Sequence, residues 1–376
     1  MYRKIFLDAP NLGALEKEYL NKAIDANFVS TAGPFVPEFE RRFAEYLGVR
    51  ACVSTQSGTA ALHMALYELG ITTGDEVIVP ALTFIATANP IFYVGATPVI
   101  VDVDPETWLL DPEEVEKAIT PRTKAVIPVH LYGNPCNMDE IMRIAEKHGL
   151  YVIEDATESL GATYRGKFTG TFGHFGCFSF NGNKIMTTGG GGMIATNNER
   201  QAEHIRFLAN QARDTERGYY HPEMGFNYRM TNLEAALGLA QLQRLSGFLE
   251  KKRDFFKLYQ KGLAKMETTI RFQKEEGPSN SAAWLNSVWI DTKKTGFTIS
   301  EIQEKLRKES VPTRRIFQPL VDFPPYQQFR LRQYKNAYDI YEHGLNLPSS
   351  TLNDIEDIEH VFSRILKILG DNYSFK

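Results

Sequence analysis

Six short runs rich in valine and isoleucine, separated by stretches with helical periodicity, constrain the fold of this 376-residue sequence more than any other feature. Their apolar residues do not alternate with polar ones, which is typical of strands buried on both faces. The predicted strands lie at 76–81, 97–102, 124–130, 150–155, 177–181 and 192–197. Strands that alternate with helices predict an α/β fold with a mixed, mostly parallel sheet flanked by helices.

The helical stretches support the same fold class. One runs from Ser57 toward Gly70, and another covers 139–148 and ends at Gly149, a good helix stop. Beyond residue 231 two strongly helical stretches follow one another, and a polar segment, a strand with two tryptophans at 284–291 and further helices come after them. We predict a large domain over 1–245 and a smaller C-terminal α+β domain over 246–376, with the 284–291 strand in its core.

Composition excludes several classes of function. The net charge is -4 and no long basic run occurs, which argues against a nucleic-acid partner. No stretch approaches the roughly 18 apolar residues needed to span a bilayer, and no signal peptide begins the sequence. Three cysteines are too few for a disulfide framework, and the pair His174 and Cys177 lacks further metal ligands. We therefore expect a soluble, cytoplasmic protein without a metal site.

Three features that carry chemistry occur in a fixed order. The first is 57–59, Ser-Gly-Thr at the start of a predicted helix. The second is 154–155, Glu-Asp at the end of a predicted buried strand, and the third is 179–184, which follows another strand and ends in Lys184. Ligands of open α/β sheets bind beyond the carboxyl ends of the strands, so the three features are expected to converge there.

Each feature has a chemical interpretation and a simpler structural one. A helix N-terminus binds phosphate, a buried carboxylate needs a cation such as a protonated pyridine, and a desolvated lysine can form a Schiff base. Together they match the anchors of pyridoxal 5'-phosphate. Taken singly, the aspartate could cap a helix, the lysine could be solvated, and the four glycines at 189–192 could form only a tight turn. The glycines have neither the P-loop order nor that of a dinucleotide-binding site.

The joint pattern resembles the DegT/DnrJ/EryC1/StrS sugar aminotransferases, a branch of the fold-type I pyridoxal-phosphate enzymes. Segments 33–40, 225–232 and 344–351 share the resemblance, which therefore covers nearly the whole chain. Segments 154–163 and 178–193 look most similar to members that act at C4 of 4-keto-6-deoxy hexoses. These are the UDP-linked bacillosamine and legionaminic acid enzymes and, more distantly, GDP-perosamine synthase.

The resemblance implies roles for individual residues. Lys184 would be the Schiff-base lysine and general base, and Asp155 would pair with the pyridinium nitrogen. Phe84 would stack on the ring, where an isolated phenylalanine is otherwise a core residue, and Glu158 would lie beside the ring hydroxyl. The phosphate would be held by Gly58, Thr59, Ser179 and, from the partner subunit, Asn227. A homodimer with shared active sites follows from that last role.

The substrate residues are identified less directly. Arg213, Tyr219, His221, Arg229 and Arg314 lie in segments that resemble diphosphate- and sugar-contacting regions. Arginine suits a diphosphate because its fork bonds two oxygens at once, but ordinary salt bridges explain these residues equally well. His130 is expected to be a catalytic residue or a satisfied strand-end histidine.

The implied reaction is a ping-pong transamination in which L-glutamate is the amino donor. The expected acceptor is UDP-2-acetamido-4-keto-2,4,6-trideoxyglucose, which would yield the 4-amino sugar. The alternatives within the family are a GDP-4-keto-6-deoxymannose 4-aminotransferase and a dTDP-3-keto sugar aminotransferase. In other classes, the alternatives are a pyridoxal-phosphate-binding regulator, which would be expected to carry a DNA-binding element, and a nucleotide-phosphate-binding protein that uses the glycine run.

Overall fold

The computed structural model describes residues 4–370. Twelve α-helices occur in this part of the chain: α1 (Ala14–Asp25), α2 (Phe35–Leu47), α3 (Gly58–Glu68), α4 (Asn89–Tyr93), α5 (Pro112–Ala118), α6 (Met138–His148), α7 (Glu199–Ala209), α8 (Asn232–Leu263), α9 (Thr292–Thr295), α10 (Ile299–Lys308), α11 (Lys335–His343) and α12 (Ile355–Gly370). None of them is long and apolar enough to cross a membrane.

Fourteen strands occur over the same residues: β1 (Ala51–Thr55), β2 (Glu76–Pro80), β3 (Thr97–Val101), β4 (Thr123–Val126), β5 (Tyr151–Asp155), β6 (Thr163–Tyr164), β7 (Lys167–Phe168), β8 (Phe175–Ser179), β9 (Gly192–Thr196), β10 (Ile270–Phe272), β11 (Ser279–Asn280), β12 (Asn286–Ile290), β13 (Arg314–Arg315) and β14 (Gly344–Leu347).

The largest sheet has seven strands in the order β1-β9-β8-β5-β4-β2-β3. The pairings from β3 across to β8 are parallel, whereas β9 runs antiparallel to both of its neighbours. The predicted mixed, mostly parallel sheet is therefore confirmed. Side chains on both of its faces are buried, which explains the near-continuous apolar runs of its strands.

The predicted strand at 177–181 is β8 at Phe175–Ser179, and two further differences in the large sheet have a physical reason. Strand β4 ends at Val126 and not near His130, because Pro128 has no N–H to continue the ladder. Strand β1 was not predicted at all. Its sequence, Ala-Cys-Val-Ser-Thr, has one branched aliphatic residue and so lacks the signal that identified the other strands.

The C-terminal part builds a second layer. Strands β10, β12, β14 and β13 form an antiparallel sheet in that order, and a separate hydrophobic cluster packs it against α8, α10 and α12. The predicted domain boundary between 245 and 246 lies inside α8, which runs unbroken through both predicted helical stretches. Residues 1–3 and 371–376 of the two predicted domains lie outside the described residues. The division into two domains stays a prediction.

Several chain segments meet at the carboxyl edge of the large sheet. Strand β5 ends at Asp155 and β8 ends at Ser179. Strand β1 leads through a short turn into α3, whose first residue is Gly58. The sheet therefore brings together the three sequence features that were predicted to converge.

Candidate active site

A cavity of about 450 Å³ opens at this edge of the sheet. All seven of the cofactor residues predicted from the same chain contribute to its wall. They are Gly58, Thr59, Phe84, Asp155, Glu158, Ser179 and Lys184.

The N-terminus of α3 forms one end of the cavity. Ser57 caps the helix by accepting a hydrogen bond from the amide of Ala60 at 3.1 Å. A Cβ atom at Gly58 would lie 2.9 Å from Cβ of Ser179, and one at Gly192 would lie 2.5 Å from the carbonyl carbon of Ser57. Glycine at both positions lets the strands close around the helix end. The N–H groups and the helix dipole at this end suit an anion such as phosphate.

Asp155 lies on the cavity wall with only 3% of its surface exposed. Its carboxylate accepts hydrogen bonds from the Thr87 hydroxyl at 2.7 Å and from the Thr157 amide at 3.1 Å. None of the ion pairs formed within residues 4–370 involves it. A buried carboxylate of this kind is stabilised by a cationic ligand, and a protonated pyridine nitrogen is a suitable one.

Lys184 faces the same cavity. Its Nζ lies 3.6 Å from Oε1 of Glu158, and both side chains are largely buried. The other oxygen of Glu158 accepts a hydrogen bond from the Tyr132 amide at 2.9 Å. Burial raises the pKa of Glu158, while the Lys184 ammonium and the Tyr132 amide oppose that rise. The two side chains form a close ion pair at the cavity wall.

Aromatic rings form two further walls. Phe84 is 55% exposed, so its ring is available to a ligand, and it packs on Phe317 with 5.6 Å between the ring centroids. Trp284 places its ring 4.1 Å from Nζ of Lys184. The sequence predicted that Trp284 belongs to a core strand. It is buried as expected, but it precedes β12 and lines the cavity.

Arg314 is the substrate candidate that reaches the cavity. Its guanidinium bonds both carboxylate oxygens of Asp8, at 2.8 and 3.2 Å. Asp8 also accepts a hydrogen bond from the side chain of Asn183 at 3.0 Å. The N-terminal segment therefore fastens this arginine to the loop that carries Lys184.

The remaining candidates lie away from this cavity in the single chain. Asn227 is exposed, and Tyr219 is 86% exposed with the Arg213 guanidinium stacked 4.3 Å from its ring centroid. His221 contacts the carbonyl of Gln211 at 2.8 Å, and Arg229 donates to Asn210 at 3.2 Å. Their predicted roles involve substrate or a partner subunit and stay predictions.

The pair of His130 and Glu154 is structural. His130 is fully buried, its Nδ1 accepts from the Cys136 amide at 3.0 Å, and its Nε2 contacts Glu154 at 3.0 Å. Glu154 also accepts three backbone N–H bonds from the 170–173 turn. Of the two interpretations of His130, the structure supports the satisfied strand-end histidine.

Neither His174 nor Cys177 belongs to a metal site in the part of the chain that the structure describes. Across residues 4–370, no group of three or more His, Cys, Asp or Glu side chains could hold a metal ion. His174 instead accepts a hydrogen bond from the Val152 amide at 3.1 Å.

The residues around the cavity fit pyridoxal phosphate. An anion-binding helix end, an exposed aromatic face, a lysine and a buried carboxylate with no ion-pair partner among the described residues surround one space of suitable size. Fold and site together define a pyridoxal-phosphate-dependent aminotransferase.

A comparison of the sequence with known protein families supports this class. Residues 10–366 match the model described as the DegT/DnrJ/EryC1/StrS aminotransferase family. The chain belongs to this family.

Individual relatives cover nearly the full length. The chain is 42% identical over 370 residues to GDP-perosamine synthase from Caulobacter vibrioides, and the matched region covers 97% of this chain and 98% of the relative. It is 39% identical over 362 residues to GDP-perosamine synthase from Escherichia coli O157:H7, with 96% and 98% covered. The structure of DesI in the presence of its TDP-sugar product matches with a TM-score of 0.90 and 31% identity, covering 99% of this chain and 95% of that one.

Proposed function

We propose that the enzyme transfers an amino group from L-glutamate to C4 of a nucleotide-linked 4-keto-6-deoxy sugar, for use in bacterial polysaccharide biosynthesis. The observation that carries the proposal is the position of Lys184, whose amine lies in one cavity with the Asp155 carboxylate and the N-terminus of α3. This arrangement suits amino transfer, because pyridoxal phosphate, when bound, carries the amino group between substrates and delocalises the electrons of a breaking C–H bond.

Several residues of the cavity would hold the cofactor. The amides at the start of α3, with Thr59 and Ser179, would hold the phosphate. Asp155 would keep a proton on the ring nitrogen, because a buried carboxylate favours a protonated partner. The hydroxyl of Thr87 orients that carboxylate through its 2.7 Å hydrogen bond.

Lys184 is the residue that would move protons. Its Nζ would take the proton from the donor's Cα and pass it to the cofactor, and in the second half-reaction it would move a proton from the cofactor to C4 of the sugar. Glu158 lies 3.6 Å from this amine and is held by the Tyr132 amide, so its carboxyl group would orient the amine in the cavity. Phe84 would cover one face of the ring and exclude water.

The names of the relatives favour a GDP-linked acceptor. Both relatives described above are GDP-perosamine synthases. This supports GDP-4-keto-6-deoxymannose, the alternative considered from the sequence, over the UDP-linked acceptor that was the first expectation. The TDP-sugar product of DesI supports a nucleotide sugar in general.

A homodimer with shared sites is part of the proposal. Phe28, Val29, Tyr93 and Met224 are large apolar side chains that are 44–75% exposed in the single chain. Exposed apolar residues of this kind mark interaction surfaces. A second copy that covered them could bring Asn227 toward the phosphate, and Arg213, Tyr219, His221 and Arg229 toward the nucleotide.

The test is a product assay with matched acceptors. Enzyme loaded with cofactor is incubated with L-glutamate and either GDP-4-keto-6-deoxymannose or UDP-2-acetamido-4-keto-2,4,6-trideoxyglucose, and mass spectrometry follows conversion of ketone to amine. We expect the GDP sugar to be aminated, and the Lys184→Ala variant to aminate neither. Turnover of the UDP sugar alone would reverse the choice of nucleotide. Glutamate consumption without amination of any keto sugar would contradict the proposed acceptor class.

A further inference from the structure

Lys252 carries a buried amine outside the cavity. It lies on α8 with 4% of its surface exposed, and no carboxylate within residues 4–370 forms an ion pair with it. Its Nζ donates to the carbonyl oxygens of Trp284 at 3.0 Å and Ser349 at 2.9 Å. Burial lowers the pKa of Lys252 to about 7, and the Asp8 carboxylate only partly opposes this. An apolar side chain of the same size would avoid the cost of burying this amine.

The contacts of Trp284 show what the amine holds. The Trp284 carbonyl also accepts from the Ser349 hydroxyl at 2.8 Å. At its other end, the indole N–H donates to the carbonyl of Asn183 at 2.8 Å. The backbone and the ring of Trp284 are therefore fixed by separate hydrogen bonds.

The fixed ring lies against Lys184. The distance from Nζ of Lys184 to the ring centroid of Trp284 is 4.1 Å, which is within the range of a cation–π contact. Asn183, which anchors the indole, directly precedes Lys184 in the chain. The contacts therefore run without a gap from Lys252 through Trp284 to Lys184.

We propose that Lys252 is a positioning residue, which fixes Trp284 and thereby sets the direction in which the Lys184 amine points into the cavity. The inference rests on the proposed role of Lys184 as the proton carrier. Proton transfer between fixed atoms is sensitive to geometry, and a misplacement of about 1 Å can slow a reaction by about 100-fold. Under this proposal, the buried amine of Lys252 acts on Lys184 through Trp284.

The first experiment measures the contact without the reaction. Near-ultraviolet circular dichroism of the full-length, cofactor-free protein reports on fixed tryptophans, of which the sequence has three. The difference between wild type and Trp284→Phe isolates the signal of Trp284. We expect Lys252→Met to lose most of this signal while its far-ultraviolet spectrum is unchanged.

The control is the neighbouring lysine. Lys251→Met removes a surface amine that is 3.7 Å from Asp354, and the Trp284 signal should persist in that variant. A full Trp284 signal in Lys252→Met would overturn the proposal.

The second experiment measures the consequence. In rapid-mixing experiments with cofactor-loaded enzyme, the maximal rate constant of the glutamate half-reaction should fall about tenfold or more in Lys252→Met, while the dissociation constants for cofactor and glutamate stay unchanged. The double variant with Trp284→Phe should be no slower than the slower single variant, because both act through one ring. If the rate losses of the two single variants multiply in the double variant, Lys252 and Trp284 do not act through the same ring.

A milder variant covers the case in which Lys252→Met does not fold. Lys252→Gln keeps a polar but uncharged side chain, whose amide is one bond shorter than the amine that donates to the carbonyls of Trp284 and Ser349. It should weaken the tryptophan signal and the rate in the same direction, and normal values of both would also overturn the proposal. If wild type itself does not react with glutamate, the proposed function fails, whereas a normal wild type with unaffected variants rejects only the role of Lys252.

Discussion

Replacing Gly58 by alanine should weaken cofactor binding strongly. The added Cβ would lie 2.9 Å from Cβ of Ser179 and 3.0 Å from Cγ2 of Thr157. Carbon atoms normally pack at about 3.5–4.0 Å, so the first turn of α3 must move away from both side chains. Overpacking of this kind costs about 1–3 kcal/mol. Cofactor binding would have to restore that strain in order to bring the amides back to the phosphate, and each loss of about 1.4 kcal/mol weakens binding tenfold. If the movement takes the amides away from the phosphate, the cofactor dissociation constant should rise by about 10- to 100-fold.

Fluorescence titration with pyridoxal phosphate measures that constant, and thermal unfolding of the cofactor-free protein measures the strain separately. Gly247→Ala is the matched control. Gly247 lies on α8, and an added Cβ there meets no atom within 4 Å. It should leave binding unchanged and stabilise the protein by up to about 1 kcal/mol, since alanine favours helices. Wild-type affinity in Gly58→Ala would refute the assignment of the phosphate to the start of α3.

Three further predictions concern buried polar groups. Asp155→Asn should still bind the cofactor but slow the glutamate half-reaction by about 100-fold or more, and near-native stopped-flow rates would remove Asp155 from the mechanism. Thr87→Val removes the hydroxyl that donates to Asp155 at 2.7 Å, a hydrogen bond worth about 1.5–3 kcal/mol. The same half-reaction should therefore slow by about tenfold or more. An unchanged rate would show that the carboxylate does not need this hydrogen bond. The pKa of Lys252 is lowered from 10.5 to about 7, so the folded chain binds fewer protons than the unfolded one between these values. In urea unfolding, the stability of Lys252→Met relative to wild type should therefore be most favourable below pH 7 and fall by up to about 5 kcal/mol as pH rises toward 10.5. A pH-independent difference would contradict a buried amine.

The sequence predicted the parts of the site that follow from strand order. Asp155 and Ser179 end two neighbouring parallel strands, and such strands place their carboxyl ends at one edge of the sheet. Gly58 opens a helix at the same edge, and Lys184 follows five residues after Ser179. Position along the chain was therefore enough to predict which of these residues meet.

Other parts depend on contacts between distant segments. Thr87 reaches Asp155 across 68 residues, and Asp8 reaches Arg314 across 306. Trp284 was predicted to lie in a core strand because its neighbours are apolar, and a single sequence carries no signal that its ring packs on Lys184. Lys252 was not singled out either, because the sequence does not distinguish it from Lys251 beside it on α8, which is only partly buried.

The most direct test of the central claim is an absorbance spectrum of the purified protein with pyridoxal phosphate, recorded before and after addition of L-glutamate and repeated with Lys184→Ala. We predict a visible band that requires Lys184 and that glutamate bleaches, because the lysine holds the cofactor and the donor's amino group displaces it. A protein that forms no such band with added cofactor, or a Lys184→Ala variant with the same band and the same response to glutamate, would contradict the account.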